Sequence, residues 1–574
     1  MTYKIKHWFL LLLSGIMTAN MYAYDIAAEN AEGITLYYDV INDGKELEVV
    51  KGRQTYNITG ALTIPEEVTF MNRTRKVTSI GLYAFANCHL TTVDLPSSLT
   101  TIRYIAFTSC EMLESIKIPD SVTDIGESAF SCCSRLSSVV FGKSIKSIGN
   151  FAFQGCKELT DISLPKSLEL IGNGIFTGCL NINSISIEEG NNKYDSREKC
   201  NAIIESNTNT IILGCKNTTI PSSVTSIGDY AFNYCSNLIS IDIPNSIIHI
   251  GNNSFEGCSN LKSIDIPNSV INIGDCAFSY CIGLESISFG NSINSIGNYA
   301  FQNCQSLSSI TIPNSITTIN KYSFSGCEKL KQIVISNSVT RIEEGAFVAS
   351  YSLPSINIPI SVTYIGNAAF SDCRSLISIE IPNSVNFIGY SAFRGCSSLS
   401  SVILPNSITN IGGETFYGCT NLVSINIPNC ITEFGYQAFY GCNSLSSIIL
   451  PESVTSIGGY AFNCENLSTV ISLMKNPIGF DQNVFHKNTY KNATLYIPKG
   501  TLDKYKSTSN WNNFLFIEEG IPSNIEINYK SDFDVENINS DLMIYDMNGK
   551  RLDNTQRGIN IIRKKNGNVK KFLK

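Results

Sequence analysis

Histidine and tryptophan are nearly absent from this sequence. Its 574 residues include four histidines, at positions 7, 89, 249 and 486, and two tryptophans. A serine nucleophile needs a base beside it, and a structural zinc site needs cysteine or histidine ligands at short spacing. No CxxC pair is followed by matching ligands, and no histidine is placed beside a particular serine. We therefore predict a protein that is not an enzyme and that uses no metal ion or cofactor.

Charge and long apolar runs are scarce as well. Charged residues make up 16% of the chain, and the net charge is −7. This balance gives no electrostatic reason to expect a nucleic-acid partner. After the first residues, no segment is long and apolar enough to cross a membrane, so we expect no transmembrane segment.

The first residues resemble a targeting signal. Lys4 and Lys6 precede an apolar run, Trp8–Leu13, and small and polar residues follow. This pattern is typical of a secretory signal peptide, so we predict that residues 1–23 are removed by cleavage between Ala23 and Tyr24. No cysteine precedes Cys88, which disfavours lipid attachment near the cleavage site.

Repetition is what the sequence has in abundance. The stretch SVTSIGDYAFNYCSNLISIDIPN begins at Ser223, and two near-copies follow at once. One anchor phenylalanine marks each copy, at a spacing of 23 residues except for 22 at the first step and 56 at one interruption. The anchors are Phe85, Phe107, Phe130, Phe153, Phe176, Phe232, Phe255, Phe278, Phe301, Phe324, Phe347, Phe370, Phe393, Phe416, Phe439 and Phe462. A fixed period in the twenties is typical of a solenoid, in which each unit buries its apolar side against the next.

Each unit has a strand-like part and a turn-like part. LISIDIP, residues 238–244, alternates apolar and polar residues, which predicts a short strand that ends at Pro244. DYAFNYC, which follows Gly228, has room for one helical or 3₁₀ turn. We therefore expect one strand and one turn of helix per unit.

These positions together resemble a known family. The pattern L-x-x-I-x-I-P-x-S-V/I-x-x-I-G-x-x-A-F-x-x-C is similar to the BspA-like leucine-rich repeat of bacterial surface proteins over residues 77–470. The ninth position carries Ser246 and its equivalents instead of the asparagine of the general leucine-rich consensus. The resemblance implies a right-handed leucine-rich repeat superhelix with short parallel strands along one face. It also implies adhesion, to host matrix proteins or between cells.

Three segments interrupt or close the array. Residues 24–76 alternate in polarity and are expected to form a β-rich N-terminal cap. Residues 188–221 hold two apolar runs, Ala202–Glu205 and Ile211–Gly214, around a polar turn, which predicts a β-hairpin inside one enlarged repeat. Residues 471–520 break the period and are expected to form the C-terminal cap.

The twenty cysteines first suggest disulfides, because the protein is expected to be exported. Fourteen of them, however, lie three residues after an anchor phenylalanine, and Ser350 interrupts their ladder. Odd-numbered runs could not pair fully, so we predict reduced, buried thiols at these positions. Cys200 and Cys215 flank the predicted hairpin, and whether they form a disulfide stays open.

A ladder of serines, exemplified by Ser240, is expected on the outward side of the strands, where small polar residues stack. Two positions later the outward residue varies from unit to unit. Such variation is typical of a recognition surface and equally of unconstrained solvent positions. The candidate binding residues at this position are Lys117, Asp242, Asp265, Thr311, Asn357, Glu380 and Asn426.

The last segment, residues 521–574, leaves the repeat. Alternating runs flank Asn548–Gly549 and Asn566–Gly567, which predicts hairpins in a small β-sandwich-like module. IYDMNGKRL followed by GINIIRKKNGNVKKFLK resembles the C-terminal sorting domain of type IX secretion. That resemblance implies export across the outer membrane by dedicated machinery, with surface retention or release left open.

Three functions remain to be weighed. The leading hypothesis is a non-enzymatic surface or secreted protein that binds protein or glycan ligands. The alternative is a structural spacer without a specific ligand. A third hypothesis is a secreted hydrolase that uses Asp195, Glu198 and Glu205 of the hairpin segment, although three acids in a polar turn are far more often solvated.

Overall fold

The computed structural model describes residues 24–52 and 58–520, together with four strands in the remainder of the chain. One compact unit ends at Gly520, and a second comprises Ile521–Lys574. The first unit is a parallel β-solenoid of about 19 turns, so the predicted solenoid class is confirmed. The predicted signal peptide, including Ala23, lies outside the described residues. Tyr24 is described, and its ring centroid lies 4.5 Å from that of Tyr37.

Each regular coil contributes two strands, in two separate columns. The first, which we call the long-strand column, carries the serine ladder and the candidate binding residues. Its strands are Thr59–Thr63, His89–Asp94, Ser115–Lys117, Ser138–Val140, Asp161–Leu164, Ser184–Ile187, Ser263–Ile266, Ser286–Phe289, Ser309–Thr311, Gln332–Val334, Ser378–Glu380, Ser401–Ile403, Ser424–Asn426, Ser447–Leu450, Thr469–Ser472, Thr494–Ile497 and Phe516–Glu519. Parallel partners in the repeats are 23 residues apart, as in Ser115 with Ser138.

The second, which we call the short-strand column, was not predicted. Its two-residue strands are Thr101–Ile102, Asp124–Ile125, Ser147–Ile148, Leu170–Ile171, Ser226–Ile227, His249–Ile250, Asn272–Ile273, Ser295–Ile296, Thr318–Ile319, Arg341–Ile342, Tyr364–Ile365, Phe387–Ile388, Asn410–Ile411, Glu433–Phe434 and Ser456–Ile457. The expectation of one strand per unit was wrong, because two residues are too few for alternation to be visible in the sequence.

The expected helical turn is also absent from the described repeats. Around Phe301, alternate N–H groups donate to carbonyls of the next coil, and the N–H groups between them close β-turns within the coil. A helix would use all of these donors internally and leave none for the neighbouring coil. Tyr299 and Asn303 take positive φ angles of 58° and 57°, which turn the chain so that both sets of bonds form.

The anchor phenylalanines form a continuous buried stack on each side of the interruption. Phe301 is fully buried, and its ring centroid lies 5.4 Å from that of Phe278 and 5.5 Å from that of Phe324, with nearly parallel planes. Each ring therefore covers the next one, and burial of one coil requires its neighbours.

The cysteine ladder satisfies the backbone beside this stack. The Cys304 thiol donates to the carbonyl oxygen of Phe278 in the preceding coil over 3.2 Å. Ser350 makes the same bond to Phe324, also over 3.2 Å, which explains why serine replaces cysteine there. All twenty cysteines are free thiols, including Cys200 and Cys215, so the disulfide left open in the sequence is not formed.

Burial makes several thiols of the ladder weaker acids. It raises the pKa of Cys327, Cys373 and Cys419 to about 12 each. Thiolate is the reactive form of cysteine, so these three thiols are chemically inert near neutral pH.

The hairpin interrupts the stack between Phe176 and Phe232. Strands Ala202–Glu205 and Thr210–Gly214 pair antiparallel, and Tyr194–Asp195 pairs with the first of them. Opposite faces of the hairpin pack into two different hydrophobic clusters. Ile204 belongs to the cluster on the C-terminal side, and Ile203 to the cluster on the N-terminal side.

The ends of the first unit extend the solenoid, with antiparallel strand pairs at the N-terminal end and parallel stacking at the C-terminal end. At the N-terminal end, strands Ile26–Glu29, Thr35–Ile41, Glu46–Val50, Glu67–Phe70 and Arg73–Ile80 extend the short-strand column. At the C-terminal end, Phe485 lies 23 residues after Phe462 and stacks on it at 5.4 Å. The stacking therefore runs past residue 470. The helical segments of the described chain are Lys487–Asn492, Leu502–Ser507 and the 3₁₀ turns Arg197–Lys199 and Trp511–Asn513.

The second unit contains one four-stranded antiparallel sheet. Its strands are Leu542–Tyr545, Arg551–Leu552, Ile559–Lys564 and Val569–Leu573. The described strands of this unit form a single layer, whereas the sequence pattern predicted a sandwich-like module.

We predict that Phe301→Ala opens the array locally. Loss of the buried ring costs about 3–5 kcal/mol, and nearest-neighbour stacking confines the effect. Hydrogen exchange should accelerate around residues 278–324. The matched control Phe387→Ala removes a ring that is 38% exposed and should cost under about 1 kcal/mol. Uniform acceleration along the whole chain would contradict nearest-neighbour stacking.

We also predict that all twenty thiols titrate in denatured, unreduced protein. In the folded protein, Cys132 should react first with a maleimide, because it is the exposed cysteine of the ladder region. Cys132→Ala should remove that fast phase. Recovery of eighteen thiols before reduction, rising to nineteen in Cys200→Ala, would instead demonstrate a bridge between Cys200 and Cys215.

Candidate binding surface

Five of the seven candidate residues lie on strands of the long-strand column. These are Lys117, Asp265, Thr311, Glu380 and Asn426, and all five side chains are exposed. They are distributed along the array and do not converge on one point. Glu380 and Asn426 lie on either side of Ile403, on three adjacent parallel strands.

Asp242 and Asn357 are also exposed, but neither lies on a strand. The strand predicted for residues 238–244 does not form; the hairpin strand Ala202–Glu205 lies beside Ser184–Ile187, the strand with which this segment would otherwise pair. At Asn357 the cause is Pro354, which has no N–H to donate to the preceding coil. Ser355 retains only an isolated bridge to Ser378.

Two of the three candidate acids of the hairpin segment, Asp195 and Glu205, have basic partners, and Glu198 is exposed. Arg197 binds Asp195 through two hydrogen bonds, from Nε over 2.7 Å and from a terminal nitrogen over 2.6 Å. The Ser206 hydroxyl donates to the same carboxylate over 2.6 Å. Hydrogen bonding to Arg197 lowers the pKa of Asp195, which is the opposite of what a general acid requires. The side chain of Glu205 lies 3.8 Å from Lys193.

The histidines past the signal region have local roles or lie at the surface. His249 Nδ1 contacts the side-chain amide of Asn272 on the next coil, at 3.2 Å. His486 caps the helix Lys487–Asn492 by accepting from the N–H of Asn488. In the part of the chain that the structure describes, no group of acidic, histidine and cysteine side chains is arranged to hold a metal ion. Within the same residues, no helix has the length and apolarity of a membrane span.

The short-strand column exposes a run of aromatic side chains that sequence reasoning missed. The rings of Tyr364 and Phe387 stack face to face, with centroids 4.9 Å apart. Arg341 lies on the coil that precedes Tyr364, and its guanidinium is 3.9 Å from the centroid of the Tyr364 ring. Glu343 accepts a hydrogen bond from Arg341 over 2.7 Å and so holds the guanidinium in place.

Two more tyrosines extend this surface beyond the short strands. Tyr390 is 66% exposed and Tyr436 is 54% exposed, and Gly413 occupies the same position on the coil between them. A side chain at Gly413 would meet the Tyr390 ring at about 3.0 Å, so the glycine leaves space beside that ring. Tyr436 also packs edge-on against Tyr460, with centroids 6.0 Å apart.

We call the set Tyr364, Phe387, Tyr390 and Tyr436 the aromatic surface. A signal for it was present in the sequence. These residues occupy the positions just before and just after the Ile-Gly pair, or its Phe434-Gly435 equivalent, where most other units carry polar residues.

The comparisons with known proteins bear on the repeat itself. The model of the BspA type leucine rich repeat region matches residues 78–203, 203–315, 248–377, 294–411 and 363–492. No curated protein matches the chain.

Several solved structures are similar. A leucine-rich repeat protein from Bacteroides ovatus is 26% identical, with 87% of this chain and 100% of that chain covered and a TM-score of 0.37. A leucine rich cell surface protein from Faecalibacterium prausnitzii is 24% identical, with 70% and 95% covered and a TM-score of 0.41. A leucine-rich repeat protein from Eubacterium ventriosum is 23% identical, with 61% and 95% covered and a TM-score of 0.45.

The matched segments run without a gap from residue 78 to residue 492, which is well over half of the chain. They contain the stacked phenylalanines, the thiol ladder and both strand columns. The chain therefore belongs to the BspA-type leucine-rich repeat family.

Proposed function

We propose that this protein is a non-enzymatic, exported binding protein that presents its exposed strand columns to protein or glycan ligands outside the cell. Adhesion to a matrix or to another cell is the role that this arrangement serves. The seven candidate residues of the long-strand column supply polar contacts, and the aromatic surface supplies the apolar anchors.

The aromatic surface is the observation that carries the proposal. Large exposed aromatic groups are not needed by the buried stack, which the anchor phenylalanines complete without them. Tyrosine is enriched at the energetic centres of protein interfaces because its ring buries much area and its hydroxyl still bonds to water or a partner. Three tyrosines and one phenylalanine lie within four successive coils of the array, and exposed groups of aromatic side chains mark interaction sites.

The solenoid holds these rings in fixed positions. Stacking orders Tyr364 and Phe387 against each other, and the ion pair of Arg341 with Glu343 orders the end of that row. A side chain that is ordered before binding loses less conformational entropy when a ligand arrives. The rigid frame therefore favours binding over a purely mechanical function.

A structural spacer is the competing proposal. It would require the parallel stacking and nothing from the exposed positions. The two proposals differ in whether exposed side chains can be exchanged without consequence, and the variants below measure that difference.

Export is the second part of the proposal. Residues 1–23 would direct the chain across the inner membrane, and residues 521–574 would address it to a type IX pathway across the outer membrane. The division of the chain at Gly520 supports a separable C-terminal module.

We predict that Tyr390→Ser combined with Tyr436→Ser weakens ligand binding at least ten-fold. Two anchor rings at about 1 kcal/mol or more each account for that loss. Binding is measured for the full-length protein on an array of immobilised matrix proteins and glycans. The matched control is Ile360→Ser, which removes an apolar side chain that is 82% exposed and lies outside the aromatic surface.

Binding that survives the double tyrosine variant would remove the aromatic surface from the proposal. Simultaneous exchange of the seven long-strand residues then tests the other column. If the protein binds nothing on the array, or if both sets can be exchanged freely, the spacer is the correct function.

We further predict that deletion of residues 522–574 leaves the solenoid folded but abolishes surface display. The deletion removes no anchor phenylalanine and begins after Trp511, which is buried at the end of the first unit. In a host with the type IX pathway, the truncated protein should accumulate in the periplasm, and residues 521–574 should export a fused reporter. Normal surface levels of the truncated protein would refute the sorting role, and a large fall in melting temperature would refute the separate module.

A further inference from the structure

An open groove lies on the short-strand column near the N-terminal end of the array. Its volume is about 540 Å³, within the range of small-molecule sites. Its floor is formed by Thr101, Asp124 and Ser147 on three adjacent parallel strands. Leu82, Arg103, Tyr104 and Leu170 line the rest of the groove.

The repeat itself provides a baseline against which these lining residues stand out. Arg103 occupies the position at which most other coils carry the glycine that follows the short strand. Tyr104 and Leu82 occupy the next position, where asparagine or aspartate is commonest. Leu170 occupies a strand position that is polar in the coils before it. Four departures from the repeat therefore meet around one groove.

The floor is a row of hydroxyl and carboxylate groups. The Ser147 hydroxyl donates to Asp124 Oδ1 over 2.5 Å, and the Thr123 hydroxyl donates to Asp124 Oδ2 over 2.6 Å. These bonds fix the plane of the carboxylate. Each carboxylate oxygen keeps a second lone pair, so Asp124 can still accept two hydrogen bonds from a ligand.

The one cation of the groove is already neutralised. Arg103 Nε lies 2.6 Å from Glu48 Oε2, and the Glu48 side chain is largely buried. The Ser79 hydroxyl donates to the same oxygen over 2.6 Å. Because Asp124 then carries the uncompensated charge, the groove disfavours phosphate, carboxylate and sulfate groups.

The walls are apolar and amphipathic side chains with substantial exposure. Tyr104 is 41% exposed, and its ring packs edge-on against Tyr83 with centroids 6.1 Å apart, which limits its movement. Leu82 and Leu170 are each at least half exposed. An apolar wall above a polar floor fits a ligand that is apolar on one face and rich in hydroxyls at its edge.

We infer that this groove binds a neutral saccharide unit. The C–H face of the sugar ring packs on Tyr104, whose ring face carries partial negative charge, and on the leucines. Vicinal hydroxyls donate to Asp124, and the hydroxyls of Thr101 and Ser147 complete the row of partners. The site is separate from the aromatic surface, and it adds a ligand class and a location to the proposed binding function, on which it does not depend.

A peptide ligand fits this groove less well. Peptides commonly bind sheets by adding a strand to an open edge. Here the strands Thr101–Ile102, Asp124–Ile125 and Ser147–Ile148 are all paired on both sides, so their main-chain groups are occupied. The groove offers side-chain hydroxyl and carboxylate groups instead, which suit hydroxyl-rich ligands.

The experiment is saturation-transfer NMR on the full-length protein with a panel of monosaccharides and disaccharides. The panel contains neutral hexoses, N-acetylhexosamines, uronic acids and sialic acid. We expect at least one neutral sugar to bind, and we expect Tyr104→Ala and Asp124→Asn each to weaken that binding at least ten-fold. Far-UV circular dichroism and the melting curve should stay unchanged in both variants.

The matched control is Ile360→Ala, which removes an 82% exposed apolar side chain that belongs neither to the groove nor to the aromatic surface. It should leave sugar binding in the groove intact. Neutral-sugar binding that Tyr104→Ala does not weaken would overturn the inference, as would binding of acidic sugars alone, of a peptide library alone, or of nothing on the panel. Loss of array binding in the Tyr390 and Tyr436 variants, with no sugar bound at Tyr104, would overturn this inference and leave the proposed function standing.

Discussion

The structure depends on how the turn around each anchor phenylalanine divides its hydrogen bonds. Alternate N–H groups close the turn, and the others reach the next coil. This division sets the distance at which coils stack, which in turn places successive rings about 5 Å apart. The carbonyl of the anchor then accepts a buried thiol from the following coil. A 23-residue period, a phenylalanine and a cysteine are thus consequences of one backbone arrangement.

The same arrangement frees the exposed positions from packing. Inward side chains are fixed in size, because each must fit against the equivalent side chain of two neighbours. Outward side chains meet only their counterparts on adjacent coils and solvent. Chemistry can therefore change at single positions, as from Asn298 to Lys321 to Glu344, while the frame stays constant. A ligand surface built this way is a pattern of substitutions on a repeated scaffold.

The fold could be predicted from the sequence where the signal repeats. The spacing of the phenylalanines predicts the solenoid. Ser350 interrupts the cysteine ladder and could not be a disulfide partner, which indicates that the cysteines of the ladder are reduced and buried. The short-strand column could not be predicted, because strands of two residues are too short to show a periodic pattern in the sequence. The prediction of a helical turn was wrong, because the length of that segment does not reveal which of its N–H groups bond to another coil. Asp242 does not lie on a strand, because the hairpin, which belongs to a different repeat unit, lies beside the strand with which its segment would otherwise pair. The aromatic surface and the groove were not predicted, because they become visible only when equivalent positions of different repeat units are compared. In a single unit, those positions resemble ordinary turn residues.

The hairpin gives the array an internal division that the repeat alone would not provide. Its two faces belong to separate hydrophobic clusters, and the phenylalanine stack does not cross it. The groove around Tyr104 lies on coils of the N-terminal cluster, and the aromatic surface around Tyr390 lies on coils of the C-terminal cluster. Since stabilisation in a repeat array passes from neighbour to neighbour, a change in one cluster is weakly felt in the other. Substitutions that change the ligand chemistry of one binding region therefore have little effect on the stability of the other region, on the opposite side of the hairpin.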